Sequence, residues 1–538
     1  MNTMNAKSWP FEQARLLAKR FGLEKGSPYP AKNISFETGF GPSGAPHIGT
    51  FAEVVRTNMV RNAFETLAME VTGHRVPPAT VLTIFADDYD AMRRVPDGLP
   101  EEMAEDIGLP LTSVRDPFGG YGSFGERNVL ALRRFCTDYL GTSPAIVSST
   151  QMYQSGRFDT GLLDVCRLYD EIMEIMLPTL GLQGGDRRDT YSPIMPISRV
   201  SGRVLQVPVR VLDAEAGMIE FIDEDGSRVE MPVTGGNAKL QWKIDWAMRW
   251  QQLNIDYEMY GKDLIDSFAV SKKIVRLFGS EPPVGMVYEL FVDENGKKIS
   301  KSVGNGVTVE EWMEYGTPEA LSMFMFQSPK SSKALHLGVI PKVTDEYLKA
   351  RADYPRLLQG GEGKQNFLDS PAWHIHGGVV PPFQSEVNYS LLINLASVSN
   401  APDEKVLRDY LATYREITPV DRHEIDRLLP LVVNYVDRIV LREKLAKQRK
   451  PTEVEHQAIA DLVARLRGME DDLDGEVYQY EVYEWGKAWM ATHPDTFPSL
   501  RDTFRMIYEV FFGAESGPRF GTFVAAFGRQ RTITMLEG

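Results

Sequence analysis

Residues 34–50 read I-S-F-E-T-G-F-G-P-S-G-A-P-H-I-G-T, and this stretch decides the fold of the chain. Its first five residues predict a short strand, and a loop dense in Gly and Pro runs from Gly39 to Gly49. From about Thr50 the apolar residues recur with helical period, which predicts a helix. A second apolar run, 81–85, predicts a buried strand, so the sequence predicts a right-handed parallel βαβ unit.

The same alternation returns further along the chain. Residues 203–233 predict a β-hairpin, 268–278 a helix and 287–292 a strand, whereas the apolar pattern after residue 385 is almost wholly helical. The predicted fold class is therefore α/β: a Rossmann-type doubly wound parallel sheet with an insertion, followed by an all-α C-terminal domain.

This pattern also suggests how the domains are divided. We expect an α/β domain over residues 1–335, interrupted by an insertion at about 95–235. Residues 336–385 are expected to form a junction, since much of that stretch is rich in Gly and Pro. Residues 386–538 are expected to form the helical domain.

Composition limits the class of protein. The 538 residues carry 59 basic and 74 acidic side chains, a net charge of −15, so a uniformly basic nucleic-acid-binding chain is excluded while a local basic groove is not. The two cysteines, Cys136 and Cys166, lie far apart and predict neither a disulfide framework nor a metal site. No apolar run is long enough to cross a membrane and no secretory signal is evident, so we expect a cytoplasmic protein.

The Gly-rich loop has the chemistry of an anion site. Its glycines let the backbone approach a ligand closely, and the helix that follows presents unpaired N–H groups at its positive end. His47 and Thr50 add side-chain donors, but the loop matches neither a Walker motif nor G-x-G-x-x-G. The alternative is a tight turn with only a structural role, in which His47 caps the helix.

A second loop, 296–302, reads G-K-K-I-S-K-S. Lys298 and Lys301 could neutralise a polyphosphate or a departing pyrophosphate, although a lysine-rich turn alone is more often solvated surface. The two loops follow strands of opposite half-sheets about 250 residues apart. In a doubly wound sheet such strand ends meet at the topological switch point, where nucleotides bind.

The two loops resemble the HIGH and KMSKS signatures of class I aminoacyl-tRNA synthetases, here H47-I-G-T50 and K298-I-S-K-S302. Four longer strings are similar to one family, the class I lysyl-tRNA synthetases: F36-E-T-G-F-G-P-S-G-A-P-H-I-G-T-F-A-E53, F85-A-D-D-Y-D-A-M-R-R-V-P96, W242-K-I-D-W246 and G261-K-D263. The resemblance implies a catalytic Rossmann domain and a C-terminal helical domain that binds the anticodon. It also implies ATP-dependent formation of lysyl-adenylate and transfer of lysine to the terminal adenosine of tRNA(Lys).

The resemblance also implies residue roles around the phosphates. His47 and Thr50 would bind the phosphates of ATP and stabilise the transition state. Lys298, Ser300 and Lys301 would hold the α- to γ-phosphates and the departing pyrophosphate. Mg²⁺ is expected to accompany the ATP.

Other residues would hold the nucleoside and the amino acid. Gly261 and Asp263 match a class I nucleotide motif, with Asp263 placed for the ribose hydroxyls. Trp242 would line the amino-acid pocket, although Trp242 and Trp246 could equally be core. The residues of the first loop expected beside the adenylate are Gly39, Gly41, Ser43 and Gly49. In relatives His often follows the G-K-D string, whereas this chain has Leu264, which puts one expected pocket residue in doubt.

The ε-ammonium of lysine needs an anion in a partly dry pocket, because an unpaired buried charge is costly. Acidic residues near the motifs supply the candidates, which are Glu37, Asp87, Asp88 and Asp245. Glu37 ranks first because it lies inside a strand just before the glycine loop, beside Gly39. The aspartates could instead cap a turn or a helix.

The predicted partners are lysine, ATP and tRNA(Lys), with no membrane, and we expect a monomer. The alternatives are a class I synthetase of another specificity, such as glutamate, or a related α/β nucleotidyltransferase. A non-enzymatic RNA-binding relative is a third, but such a protein is expected to have lost His47 or the loop lysines.

Overall fold

The computed structural model describes most of the chain: residues 3–140, 144–180, 191–297, 299, 307–360, 366–398, 404–412, 417–441, 449–471, 473–517 and 519–537. These residues form two compact units. The first, the α/β unit, comprises Met1–Val309, Met325–His336 and Leu368–Ser370. The second, the helical unit, comprises Glu310–Phe324, Leu337–Phe367 and Pro371–Gly538.

A four-stranded parallel sheet is the centre of the α/β unit, in the order β3-β2-β1-β9. Its strands are β1 (Ile34–Phe40), β2 (Thr80–Ala86), β3 (Ala145–Ser148) and β9 (Ile255–Glu258). The helix α2 (Ile48–Thr72) makes the crossover from β1 to β2, as the βαβ pattern predicts. Most residues of β1 and β2 are buried, which explains why the sequence shows apolar runs there. The predicted Rossmann-type fold class is confirmed.

Helices pack against this sheet before and after the crossover. The helix α1 (Trp9–Arg20) packs on α2, with Pro10 in its first turn. The helices after β2 are α3 (Phe124–Leu140), α4 (Ser149–Gln154), α5 (Asp159–Arg167) and α6 (Tyr169–Met176).

The insertion contains small antiparallel sheets. Strands β4 (Ile194–Pro196) and β8 (Ala238–Leu240) pair with each other. The predicted hairpin region forms a three-stranded sheet of β5 (Arg210–Asp213), β6 (Met218–Ile222) and β7 (Arg228–Pro232). Asp225 and Gly226 make the turn between β6 and β7, where Gly226 has a φ of +81°.

The chain then returns to the central sheet. The elements that follow are α7 (Trp242–Gln252), β9, β10 (Tyr260–Gly261), α8 (Ile265–Leu277), β11 (Val287–Tyr288) and β12 (Phe291–Val292). β10 pairs in parallel with β11. The predicted strand over 287–292 is therefore two short strands, because the chain leaves β10 after Tyr288 and β12 pairs instead with β13 (Lys333–Ala334).

The helical unit contains only helices among its described elements. Two begin near its first boundary, α9 (Val309–Met313) and α10 (Pro318–Phe326). The others are α11 (Ile340–Leu358), α12 (Pro371–Ile375), α13 (Tyr389–Val398), α14 (Glu404–Ala412), α15 (Pro419–Tyr435), α16 (Glu453–Arg467), α17 (Gly475–Thr492), α18 (Leu500–Phe511), α19 (Phe520–Phe527) and α20 (Arg529–Glu537).

The segment expected to be a junction contains the 19-residue helix α11. Its Arg351 is buried and donates to Glu424 of α15 at 2.7 Å, so this helix packs within the helical unit. The predicted domain limits at 335 and 385 stay a prediction. In the described part of the chain, no helix is both long and apolar enough to span a membrane.

Candidate active site

One cavity of 810 Å³ lies in the α/β unit, where the connections after β1, β2 and β10 meet. The sequence-predicted residues that line it are Ser43, His47, Gly49, Gly261 and Asp263. Those that do not line it are Glu37, Gly39, Gly41, Thr50, Trp242 and Asp245. The cavity therefore brings together the first loop and the G-K-D string.

The second loop is described only in part. Lys298, Ser300 and Lys301 lie outside the described residues. Ile299, between them, lines the cavity and donates its backbone N–H to Phe291 O at 3.2 Å. Val307, which follows the loop, also lines it, so the described neighbours of the loop lie at the same cavity.

His47 is the N-terminal cap of α2. Its Nδ1 accepts a hydrogen bond from the backbone N–H of Thr50 at 3.1 Å. A Cβ atom at Gly49 would lie 2.7 Å from Cε1 of His47, so only glycine leaves room for the ring. His47, Ile48 and Gly49 line the cavity, so the positive end of the helix dipole faces it. The capping role and the predicted role at a phosphate are thus compatible, because the cap fixes the imidazole at the cavity wall.

Another part of the cavity lining is the G-K-D string. A Cβ at Gly261 would lie 2.7 Å from Oδ1 of Asp263 and 3.3 Å from Leu290, which explains the glycine. Leu264 lines the cavity and also packs against the hydrophobic core. The position where relatives often carry His therefore presents an aliphatic side chain here.

The cavity also contains an acid that the sequence did not single out, Glu53 on α2. Glu53 is half-buried and accepts a hydrogen bond from the Tyr288 hydroxyl, and both residues line the cavity. Burial raises the pKa of Glu53 to about 7, although the hydrogen bond from Tyr288 and the charge of Arg56 oppose that rise. Its position in the sequence could have identified it, because Glu53 lies three residues after Thr50 and therefore one helical turn from the loop.

Arg56, one turn further along α2, is buried against the stem of the second loop. Its Nε donates to Met325 O at 3.0 Å, and its guanidinium lies 5.4 Å from the ring centroids of Tyr288 and Phe291. Burial lowers the pKa of Arg56 to about 10. Arg56 therefore connects α2, the helix that follows the first loop, with β11 and β12, the strands that precede the second loop.

Comparisons with known proteins agree with this geometry. A family model described as tRNA synthetases class I (K) matches residues 7–378. The chain belongs to this family. A lysine–tRNA ligase of Roseobacter denitrificans is 43% identical over 99% of this chain and 96% of its own length. One of Rickettsia felis is 39% identical over 100% of this chain and 98% of its own.

Beneath the cavity, this class I synthetase has a buried cluster of charges around Arg249 of α7. Nε of Arg249 lies 2.8 Å from Oε1 of Glu37, Nη1 lies 3.1 Å from Asp87 and Nη2 lies 3.5 Å from Glu258. Glu258 also accepts a hydrogen bond from Nε1 of Trp246 at 2.8 Å. Glu37 and Glu258 are neighbours in the register of β1 and β9, so one guanidinium compensates two carboxylates that would otherwise repel each other.

This cluster explains why Glu37 is not among the lining residues. Glu37 is 0% exposed, and although its contact with Arg249 is short, the two groups are not aligned for a hydrogen bond. Burial raises the pKa of Glu37 well above its ordinary value, and Arg249 opposes that rise. Glu37, which the sequence favours as the partner of the lysine ε-ammonium, is therefore a partner of Arg249 in this structure. A contact with lysine stays a prediction for it.

Asp87, another candidate acid, pairs with the same arginine. Burial raises its pKa to about 8 and Arg249 opposes that rise, while Asp90 and Asp245 add to it. An added Cβ at Gly39 would lie 3.9 Å from Asp87 and 3.8 Å from Arg249. Gly39 therefore lies directly over the charged cluster, and a side chain there would cover it.

The remaining candidates have structural contacts. Asp88 accepts a hydrogen bond from the backbone N–H of Thr150 in α4 at 2.7 Å, as a capping residue does. Asp245 accepts one from the buried hydroxyl of Tyr153. Trp242 is stacked on Trp246 with ring centroids 4.6 Å apart, at the edge of the hydrophobic core. The predicted roles of Asp245 and Trp242 in lysine binding stay predictions.

Proposed function

We propose that the chain is a lysine–tRNA ligase. It activates lysine with ATP to lysyl-adenylate and transfers the lysyl group to the 3′-terminal adenosine of tRNA(Lys). One observation carries the proposal: the first loop, the neighbours of the second loop and the G-K-D string line a single cavity in a chain that belongs to the class I (K) family. The lysine–tRNA ligases to which it is 39–43% identical support the choice of amino acid.

The chemistry of activation is mainly positioning and charge stabilisation. The lysine carboxylate attacks the α-phosphorus in line, and negative charge grows on the β- and γ-phosphates as they depart. His47, held by its cap contact, would donate to those phosphates together with Thr50 and the positive end of α2. Lys298, Ser300 and Lys301 would hold the departing pyrophosphate.

The nucleoside would be held by the G-K-D string and the first loop. Asp263 would accept from the ribose hydroxyls beside Gly261, and Ser43 and Gly49 would form the backbone floor. Gly39 and Gly41, which do not line the cavity, stay a prediction for that floor. Among the lining residues the carboxylates of Asp97 and Asp263 would be available to Mg²⁺ that accompanies ATP, while the described residues contain no cluster of three or more groups that could hold a metal ion by themselves. When bound, the ion neutralises charge on the phosphates.

The ε-ammonium of lysine would be paired with Glu53. Its carboxyl lines the cavity and is oriented by Tyr288, whereas Glu37 is enclosed and already faces a guanidinium. No ion pair of Glu53 occurs among the described residues, and burial raises the pKa of its carboxyl to about 7 although Tyr288 and Arg56 oppose that rise. An arriving ammonium would supply the missing positive charge, which gives selectivity for a cationic side chain.

We place the enzyme in the cytoplasm and expect a monomer, whose mass in light scattering should equal that of one chain.

ATP–pyrophosphate exchange tests the function against each amino acid, with and without tRNA. Lysine-dependent exchange supports the proposal, and absence of exchange with any amino acid overturns it. In the same assay His47→Ala and Lys301→Ala should each slow adenylate formation about 100-fold with far less effect on lysine affinity.

A further inference from the structure

The rim of the cavity contains an exposed aromatic ring, Phe118, in the connection between β2 and α3. Phe118 lines the cavity and is 66% exposed, whereas the lining residue Phe124 is 3% exposed and belongs to a small hydrophobic core. A large apolar side chain left in water beside a substrate cavity is a candidate surface for a ligand.

Phe118 is held in place by Arg127 of α3. The guanidinium lies 4.8 Å from the ring centroids of both Phe118 and Tyr121. It also donates to Asp116 through Nε at 2.5 Å and through Nη2 at 3.0 Å. The bidentate pair fixes the guanidinium between the two rings, so one side of the Phe118 ring faces a rigid cation.

The ring is also fixed relative to the first loop. Asn128, next to Arg127 in α3, donates from Nδ2 to Pro42 O at 2.8 Å, and this contact is buried. Phe118 follows β2, whereas Gly261 and Asp263 follow β9 and β10 on the other side of β1. The ring and the residues proposed to hold the nucleoside of ATP therefore line one cavity from different connections of the α/β unit.

The helix after Phe118 presents exposed arginines. Residues 115–134 contain four arginines and two acids, and Arg115 among them pairs with Glu105 at 2.8 Å and Asp106 at 2.9 Å outside that stretch. Both acids are engaged, Asp116 with Arg127 and Glu126 with the backbone N–H of Gly122 at 2.7 Å. Arg133 and Arg134 on α3 are exposed. An aromatic ring flanked by such charges suits a base that is carried on phosphates.

We propose that Phe118 stacks against the terminal adenine base of the tRNA when the terminal ribose enters the cavity. The inference rests on the proposed function, which requires that ribose to reach the adenylate. The 3′ end of tRNA is single-stranded, and proteins bind unpaired bases by stacking them on aromatic side chains. The arginines of α3 follow the phosphates behind that base.

The test measures dissociation constants for two tRNA(Lys) transcripts, one complete and one lacking the terminal adenosine. Phe118→Ala should weaken binding of the complete tRNA by about 5- to 100-fold and leave binding of the shortened tRNA unchanged. Phe118→Trp should restore binding, and Phe118→Leu, which keeps apolar volume without a ring, should not. Ile222→Ala, at a residue 54% exposed on β6, is the control for loss of an exposed apolar side chain.

Four results would overturn the inference. Phe118→Ala could bind the complete tRNA normally, or it could weaken both transcripts equally, which would place the contact elsewhere on the tRNA. It could also raise the KM for ATP in exchange without tRNA, which would make Phe118 a contact for ATP. If the wild-type protein activates lysine and charges tRNA(Lys), and Phe118→Ala does both equally well, this inference alone is disproved. If the wild-type protein shows no lysine-dependent exchange, the proposed function is disproved together with this inference.

Discussion

Glu37 and Glu53 lie on either side of the same loop and have opposite surroundings. Glu37, on β1, faces the guanidinium of Arg249 and is closed off from the cavity. Glu53, on α2, lines the cavity and is hydrogen-bonded to a neutral tyrosine hydroxyl. Burial raises the pKa of both carboxyl groups.

If Glu53 binds lysine as proposed, a buried acid near a motif is available to a substrate where the fold provides no ion-pair partner for it, and is unavailable where, as for Glu37, it does. One residue on a separate helix, Arg249, decides this for Glu37. The following predictions test whether the two acids really differ in this way, beginning with the arginine.

Arg249→Met should cause the largest effect, a loss of about 3–5 kcal/mol of unfolding free energy, because it leaves three buried carboxyl groups without a cation. Those groups would then fold protonated, with pKa values above their unfolded values. Stability should therefore fall as pH rises from the unfolded-state pKa values toward the folded-state ones. Urea unfolding at pH 5.5 and 8, followed by tryptophan fluorescence, measures both effects; Lys342→Met at an exposed surface pair is the control. A variant as stable as wild type at pH 8 would contradict the account.

Glu53→Gln should raise the KM for lysine about 100-fold, because the ammonium loses a charged hydrogen-bond partner. The KM for ATP in pyrophosphate exchange should stay within about twofold. Glu37→Gln is the matched substitution, and it should change the KM for lysine less than about threefold, since Arg249 rather than substrate faces that acid. The reverse pattern would restore Glu37 as the lysine contact and refute the comparison.

The sequence predicted β1, β2 and the helix between them because their signals are local, whereas β3 and β9 of the same sheet were not predicted. The run 34–38, the glycine loop and the helix after it are specified by neighbouring residues, and the structure places β1 and α2 there. His47 and Gly49 were predictable for the same reason, because their contacts are local. The missing side chain of Gly49 leaves room for the His47 ring, and that ring accepts a hydrogen bond from Thr50 three residues later.

The acid that we propose to bind lysine was harder to predict because its surroundings depend on contacts distant in sequence. Glu37 and Arg249 are 212 positions apart, and nothing in the string around Glu37 shows that an arginine will cover it. The interaction of Glu53 with Tyr288 is equally remote. Helix α11 was missed for another reason: the Gly- and Pro-rich composition of the following residues obscured its amphipathic pattern.

Lysine binding should depend on pH through Glu53, whose pKa is about 7 in the free protein. Only the ionised carboxylate pairs with the ammonium, so the competent fraction falls as pH drops below 7. The apparent KM for lysine should therefore rise about tenfold between pH 8 and pH 6. Exchange kinetics across this range provide the measurement, with the KM for ATP as the internal control. A flat profile would show that Glu53 is already ionised or does not contact lysine.

Tyr288→Phe should produce the smallest effect and the most specific one. It removes the hydroxyl that donates to Glu53 and that lowers the pKa of this acid, while the ring that faces Arg56 remains. The KM for lysine at pH 7 should rise about 2- to 10-fold, the range expected for one neutral hydrogen bond. The midpoint of its pH dependence should also move to higher pH, because the carboxylate loses a donor. A rise in KM without that movement would mean that Tyr288 contacts lysine directly and does not act through Glu53.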